Sequence, residues 1–172
     1  MSDFIGNILS RESEIIRLIR LFSASKLDFI VVGGYAVSVH KKRFSADLDI
    51  VIKEFDAGKF ESLLEKEGYI HGYSKEISTV YGEKFRRFEK KTGKMTVSVD
   101  FLINGVVSRL SGGSWGFEML LENSIKSALQ GAEFLAPAKE ILIAMKIHSG
   151  RFSDIRDIVA LYEDIDQTRP LF

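Results

Sequence analysis

The stretch from Phe29 to Ile52, which reads FIVVGGYAVSVHKKRFSADLDIVI, constrains the fold of this chain more than any other. The apolar run from Phe29 to Val32 is typical of a buried strand, and Gly33-Gly34 then leads into a short helix candidate over Tyr35 to His40. A second apolar strand follows from Ala46 to Lys53, but two acids interrupt its alternation. Because buried charges need partners, the stretch predicts a cation site beside a strand–turn–helix unit.

Strand and helix signals alternate along the rest of the chain, which predicts an α/β (α+β) fold with a mixed sheet flanked by helices. Residues 84–91 and 94–103 are predicted to form a hairpin joined at Thr92-Gly93. Apolar spacing and capping residues predict four helices: 11–26, 57–67 after an N-cap at Asp56, one from Ala136-Pro137 to about His148, and 154–162 after a cap at Ser153.

The length of 172 residues predicts one domain, residues 1–172, with a core at about 27–104 and a C-terminal helical segment at about 136–172. The glycine-rich Ser111–Ser114 is the one hinge candidate. Basic and acidic residues balance at 24 each, so attraction to phosphate must come from a local patch. Without cysteine, a secretory signal or a long apolar run, we expect a soluble cytoplasmic protein with no membrane partner.

Three acids are placed where a divalent cation would hold them together. Asp47 and Asp49 lie two apart on one strand, so their side chains share a face and start roughly 6–7 Å apart. Asp100 lies on the polar face of the second hairpin arm. If the two strands are neighbours, the carboxylates converge, which suits Mg²⁺ (or Mn²⁺) bound together with substrate phosphate. The alternatives are two solvated acids paired with Arg43, and an isolated Asp100 paired with a hairpin arginine such as Arg86.

The Gly33-Gly34 pair adds a turn that suits a phosphate. Glycines between a strand and a helix let the backbone approach an anion, and free N–H groups at the helix start face it. The pair also fits a simple tight turn. It is neither the dinucleotide fingerprint Gly-x-Gly-x-x-Gly nor a P-loop, because the further glycine and the Gly-Lys-Ser/Thr are missing.

Taken together, these features resemble the signature of the polymerase-β-like nucleotidyltransferase superfamily. They are a hydrophobic strand, Gly-Gly, a twelve-residue spacer, Asp-Leu-Asp-Ile, and a third carboxylate in the later run VSVDF. The stretch GGYAVSVHKKRFSADLDI is most similar to a small prokaryotic branch that includes AbiEii-type toxins and antibiotic nucleotidyltransferases. In that branch an arginine and a Ser/Thr precede the acidic pair, as Arg43 and Ser45 do here. The C-terminal part resembles the branch's helical module, in which a lysine precedes an Arg-x-x-Asp-x-x-Asp run, as in Lys146, Arg151, Asp154 and Asp157.

The resemblance implies a role for each of these residues. The three acids would be the catalytic metal ligands, and Asp100 would also assist deprotonation of the attacking hydroxyl. Positive charge on Arg43 and Lys146 would neutralise phosphate. The residues implied to bind nucleotide are Gly33, Gly34, Arg43, Ser45 and Lys146.

Two regions keep a structural alternative. Lys146 shares a helix face with Lys139 and equally fits a solvated position, while Asp154 and Asp157 fit a capped helix start. The basic hairpin arm from Lys84 to Lys91 either grips nucleic acid, or is solvated with both of its phenylalanines in the core.

The resemblance predicts an enzyme that transfers a nucleoside monophosphate from an NTP, such as ATP, to a hydroxyl acceptor and releases pyrophosphate. The acceptor is left open among an RNA or tRNA end, a small molecule such as an antibiotic, and a protein side chain. The alternative is a non-catalytic nucleotide- or RNA-binding module of the same fold, acting with a protein partner such as an antitoxin. A complete set of three acids favours the enzyme, because binding alone does not need it.

Overall fold

The computed structural model describes residues 2–76, 84–93, 95–108 and 110–163. The end of the predicted C-terminal segment, residues 164–172, and the predicted first residue of the second hairpin arm, Lys94, lie outside these ranges. The helices among the described residues are α1 (Ser2–Ala24), α2 (Gly33–Ser38), α3 (Glu54–Lys66), α4 (Phe117–Glu122), α5 (Lys139–Ser149) and α6 (Asp154–Tyr162). The strands are β1 (Phe29–Val32), β2 (Asp47–Ile52), β3 (Ile70–Glu76), β4 (Lys84–Thr92), β5 (Met95–Ile103), β6 (Gly105–Val107), β7 (Ser114–Gly116), β8 (Ser124–Leu129) and β9 (Ala132–Pro137).

Seven of these strands form one mixed sheet in the order β3-β4-β5-β2-β1-β9-β8. Strand β2 runs parallel to β5, and β1 runs parallel to β9, while the other neighbours are antiparallel. Strands β6 and β7 form a separate two-stranded hairpin. The predicted mixed sheet flanked by helices is therefore confirmed.

Alternation along the strands gives the sheet two different faces. On the first face, Leu48, Ile50 and Ile52 of β2 pack with the apolar side of β5 and with the buried side chains of α1 and α3. Aromatic rings join these layers, since Phe60 of α3 makes edge contacts with Phe22 at 5.3 Å and with Phe101 at 6.0 Å. Such pairs contribute about 0.5–1.5 kcal/mol each beyond the buried area.

The second face is apolar at one end and acidic at the other. Ile30, Val32 and Val51 form a smaller cluster there with the hairpin and α4 residues Trp115, Phe117 and Leu120, and with the apolar side of α5. The C-terminal helix α5 therefore covers only part of this face. The acids of β2 and β5 lie beyond that cover.

Several boundaries differ from the predictions for identifiable reasons. Helix α2 begins at Gly33, so the glycine pair opens the helix instead of preceding it. Asp56 lies in the first turn of α3, whose N-cap is Lys53, and an acid there still suits the helix dipole. Ser153 is the N-cap residue of α6 but donates or accepts no side-chain capping bond. Pro137 ends β9, and α5 starts only at Lys139.

The predicted hairpin of residues 84–103 is confirmed, with one correction at its turn. Thr92 belongs to β4 and pairs with Met95, so the hairpin does not turn at Thr92-Gly93. The glycine-rich Ser111–Ser114 connects β6 to β7 and ends at the first residue of β7, and the amide of Ser108 donates to the carbonyl of Gly113. The role of this stretch as a hinge stays a prediction. None of the described helices combines the length and apolar character that crossing a membrane requires.

Candidate active site

Three carboxylates come together on the open part of the second face. Asp49 of β2 is the register partner of Asp100 on parallel strand β5, and Asp47 lies two residues before Asp49. Residues paired across strands share a face, as do residues two apart along one strand. One oxygen of each acid lies within 4.8 Å of the others. This all-oxygen donor set fits a small hard cation such as Mg²⁺.

Gly33 is required where β1 passes Asp49. Val32 pairs with Asp49 across β1 and β2, so the next residue of the chain lies directly beside this carboxylate. Gly33 has φ +64°, and a Cβ atom there would lie 2.1 Å from Oδ2 of Asp49. A side chain at this position would therefore displace the acid or the backbone.

We expect Gly33→Ala to lower stability by more than the about 1–2 kcal/mol of left-handed backbone strain alone, because the new methyl group also collides with Asp49. It should also remove stabilisation by Mg²⁺. The matched control is Gly58→Ala in α3, where a Cβ has open space and the change should be neutral or stabilise by about 0.5–1 kcal/mol. Urea unfolding with and without Mg²⁺ measures both effects, and equal behaviour of the two variants would contradict the expectation.

Gly34 lies against Ser45, and Ser45 in turn contacts Asp47. A Cβ at position 34 would lie 2.4 Å from Oγ of Ser45. The hydroxyl of Ser45 in turn donates to Oδ1 of Asp47 at 3.3 Å. The two glycines thus allow the start of α2 to pack against Asp49 and Ser45.

Asp49 is the acid of the three that a cation would stabilise most. It makes no side-chain hydrogen bond or ion pair with any described residue. Burial, and then the charges of Asp47 and Asp100, raise the pKa of Asp49 to about 8. A cation at this place would offset both causes, which supports the fit of the three acids to a metal ion.

This raised pKa predicts that stabilisation by Mg²⁺ depends on pH. Between the ordinary and the raised pKa the native protein holds a proton that the unfolded chain does not, so without metal the unfolding free energy falls as pH rises through this window. Mg²⁺ must displace the proton, so its affinity should weaken about tenfold for each pH unit below 8. Melting temperatures with and without Mg²⁺ at about pH 6 and about pH 9 test this. An equal gain at both pH values would contradict it.

Asp100 is held by an arginine on the neighbouring strand. Arg87 of β4 is the register partner of Asp100, and its Nε and Nη2 donate to the two carboxylate oxygens at 2.7 and 2.6 Å. Nη2 also lies 3.4 Å from Oδ2 of Asp47. Burial raises the pKa of Asp100, and the Arg87 guanidinium opposes that rise.

A buried charged cluster joins α5, α6 and the segment before β2. Lys146 is only 6% exposed, and its Nζ lies 2.7 Å from Oδ1 of Asp154 and 2.9 Å from Oδ2 of Asp157. Asp157 also pairs with Arg43, and Asp154 accepts from Arg151 at 2.9 Å. The solvated alternative for Lys146 is therefore wrong. The cluster thus holds three cations, Lys146, Arg43 and Arg151, against Asp154 and Asp157.

One cavity of about 920 Å³ is lined by the glycine turn, by the three acids with Arg87, and by the members of the charged cluster other than Asp157. Its polar wall holds the glycine turn, the three acids and the ends of the C-terminal helices. Its apolar wall includes Phe85 and Leu102 of the sheet, Val106 of the short hairpin, and Leu142 and Met145 of α5. A concave site of this size, apolar with convergent charged groups, is typical of one that binds a small organic ligand.

The structure places every sequence-predicted site residue in this cavity: Gly33, Gly34, Arg43, Ser45, Asp47, Asp49, Asp100 and Lys146. Arg43 pairs with Asp157 and not with the acids of β2, and Arg86 pairs with Glu61 and not with Asp100. Sequence reasoning missed Arg87. Phe85 lines the cavity while Phe88 is buried on the first face, so the alternative with both rings in the core is also wrong.

The chain matches solved nucleotidyltransferase structures over most of its length. The lincosamide antibiotic adenylyltransferase LnuA, solved with lincomycin bound, has 21% identity and a TM-score of 0.61, with 90% of this chain and 98% of LnuA covered. ANT(2")-Ia, solved with adenylyl-2"-tobramycin, has 14% identity and a TM-score of 0.52, with 94% and 87% covered. An antigenic nucleotidyltransferase-like protein from Paracoccidioides brasiliensis has 16% identity and a TM-score of 0.53, with 90% and 76% covered.

At these identities the likeness establishes the fold. No protein-family model matches the sequence, and no curated protein matches it. The chain therefore has the fold of the polymerase-β-like nucleotidyltransferases, as its strand, Gly-Gly and Asp-Leu-Asp signature predicts.

Proposed function

We propose that this protein is a metal-dependent nucleotidyltransferase that transfers a nucleoside monophosphate from an NTP to a hydroxyl acceptor. The observation that carries the proposal is the convergence of Asp47, Asp49 and Asp100 within 4.8 Å on the wall of the cavity. Three carboxylates so close together repel one another, and a divalent ion with substrate phosphate is the partner that suits them.

Asp47, Asp49 and Asp100 would hold one or two Mg²⁺ or Mn²⁺ ions. When bound, the metal supplies positive charge against the phosphate oxygens during the displacement. The contribution of the chain is then mostly positioning, since Gly33 and Gly34 let the backbone lie directly against Asp49 and Ser45 on the wall of the cavity. Ser45 holds Asp47 in place from the other side.

The reaction forms one bond and breaks one bond at the α-phosphorus of the NTP. The acceptor oxygen bonds to the α-phosphorus, and the bond from that phosphorus to the bridging oxygen breaks, which releases pyrophosphate. The proton of the acceptor hydroxyl passes to a carboxylate oxygen, a role we assign to Asp100. Arg43 and Lys146 lie on the same cavity and offset the charge of the triphosphate.

The cation cluster of the C-terminal helices supports this assignment of Lys146 and Arg43. Burial raises the pKa of Asp154, but hydrogen bonds from Lys146, Ser149 and Arg151 lower it more, so it stays below its ordinary value. Lys146 is thus held by Asp154 and Asp157, and Arg43 is held by Asp157. Held in this way, they lose little freedom when an anion binds.

For the acceptor we propose a small molecule that carries a hydroxyl group. LnuA was solved with lincomycin and ANT(2")-Ia with adenylyl-2"-tobramycin, and both match this chain over most of its length. The apolar wall formed by Val106, Leu142 and Met145 offers a surface for such a molecule beside the acids.

One observation favours the second candidate, a non-catalytic nucleotide- or RNA-binding module that acts through a partner such as an antitoxin. Both oxygens of Asp100 accept hydrogen bonds from Arg87. An arginine held in this way can take the place of a metal as the partner of the acid.

A transfer assay separates the two candidates. The protein is incubated with Mg²⁺ and each of the four NTPs labelled at the α-phosphate, together with lincosamide and aminoglycoside antibiotics, total RNA or a protein extract. Label on a hydroxyl acceptor supports the enzyme, and the labelled pool identifies the acceptor class. Nucleotide binding that is independent of Mg²⁺, with no transfer to any pool, would favour the binding module.

A further inference from the structure

We infer that Arg87 is a stand-in cation, which occupies Asp100 while the site holds no metal and turns to the substrate phosphates when metal and nucleotide bind. The inference rests on the proposed function and adds a residue that contacts substrate.

Arg87 and a metal ion would compete for the same acid. The guanidinium donates one hydrogen bond to each oxygen of Asp100, the bidentate arrangement that binds a carboxylate most firmly. A metal ligated by Asp100 would need the same oxygens and would lie next to a full positive charge. Metal binding at Asp100 therefore requires that Arg87 moves away or weakens its hold.

Arg87 has the freedom to leave Asp100. Its side chain is 35% exposed, whereas that of Asp100 is 5% exposed, so the arginine is the partner with access to solvent. The guanidinium lines the cavity, and its Cζ lies 6.0 Å from the centre of the Phe85 ring. A cation over an aromatic face keeps a favourable contact there while its hydrogen bonds change partner.

The triphosphate gives Arg87 a second anionic partner. It faces the cavity that also holds Gly33, Gly34 and Lys146, where the triphosphate is proposed to bind. Arginine binds phosphate through the same fork with which it binds carboxylate. One side chain can thus neutralise Asp100 in the empty site and phosphate in the filled site.

Arg86, the residue before Arg87, does not share its position beside the acids. Arg86 lies next to Arg87 on β4 but points to the other face of the sheet, where it pairs with Glu61 of α3. Its side chain is 28% exposed and its partner is also an acid. Arg86 is therefore the matched control for loss of an arginine from this strand.

The test measures the affinity for Mn²⁺ alone by electron paramagnetic resonance, and the affinity for a fluorescent ATP analogue with Mg²⁺. An opposite charge this close changes the proton affinity of a carboxylate by about tenfold or more. We therefore expect Arg87→Met to bind Mn²⁺ about tenfold more tightly than the wild type, and the nucleotide about tenfold more weakly. Arg86→Met should change neither. The opposite signs distinguish this role from structural damage, which would weaken both.

Each outcome decides the inference. Mn²⁺ affinity in Arg87→Met equal to or below that of the wild type overturns the role of Arg87 and leaves the proposed function standing. Failure of both proteins to bind Mn²⁺ with or without nucleotide overturns the proposed function as well. If Arg87→Met does not fold, Arg87→Lys keeps the charge but loses the fork, and a smaller rise in Mn²⁺ affinity is then expected.

Discussion

Asp49→Asn is expected to lower nucleotidyl transfer on the order of 10³-fold while leaving the protein folded. The asparagine keeps the shape of the side chain but removes one of three converging negative charges, so Mg²⁺ and triphosphate lose their central ligand. In the absence of metal the same change relieves repulsion, because Asp49 lies beside Asp47 and Asp100 and has no described donor of its own. The variant should therefore be at least as stable as the wild type at about pH 8.

The combination of lost activity and retained stability is what identifies a metal ligand. The control is Asp28→Asn, an exposed acid that precedes β1 at the end of the strand away from Gly33, and it should retain both properties. Transfer of labelled NMP and thermal melting without metal are measured for both variants. Wild-type activity in Asp49→Asn would refute the assignment of the site, and a large fall in melting temperature would assign the residue to the core instead.

Sequence patterns were sufficient to assign the buried and polar faces of the strands, but not to predict which strands lie next to each other in the sheet. Alternation along residues 95–103 correctly separates the buried side, which holds Val97 and Phe101, from the polar side, which holds Asp100. That β5 lies parallel to β2, with Asp49 opposite Asp100, depends on the packing of helices over the whole sheet. Only the resemblance to a known signature suggested this pairing in advance.

The hairpin residue that lies opposite Asp100 depends on the exact position of the turn between β4 and β5. A turn at Thr92-Gly93 would place Phe85 opposite Asp100, whereas the observed pairing of Thr92 with Met95 places Arg87 there. Moving the turn by one residue shifts the partner of Asp100 by two residues, from Phe85 to Arg87, so the face of the strand is kept but the side chain beside the acid changes.

The sequence carries no apolar pattern that predicts the hairpin of β8 and β9. Only one of residues 124–129, SIKSAL, is buried, and an edge strand with one solvated side has little apolar pattern. Pro137 then reads as the start of a helix, although it ends β9, whose partner on the inner side is β1. Long-range pairing decided this region, and local propensity could not.

Lys146→Met is expected to lower the unfolding free energy by about 3 kcal/mol, at the lower end of the range for removing one partner of a buried ion pair. Methionine replaces the lysine stem, but Asp154 and Asp157, which are 3% and 5% exposed, lose their shared cation. Arg151 and Arg43 still pair with them, which is why we expect the lower end of the range. For a chain of this length the melting temperature should fall by about 6–12 °C.

A surface ion pair of the same length provides the control for this stability prediction. Lys59 lies 2.7 Å from Asp56 on α3, but its side chain is 55% exposed, so Lys59→Met should cost less than about 1 kcal/mol. Adding Asp154→Asn to Lys146→Met removes one of the stranded charges and should restore part of the loss. Thermal and urea unfolding of the four proteins measure these differences. If Lys146→Met and Lys59→Met were equally mild, the buried cluster would not hold α5 against α6, and the fixed position proposed for Lys146 beside the triphosphate would lose its physical basis.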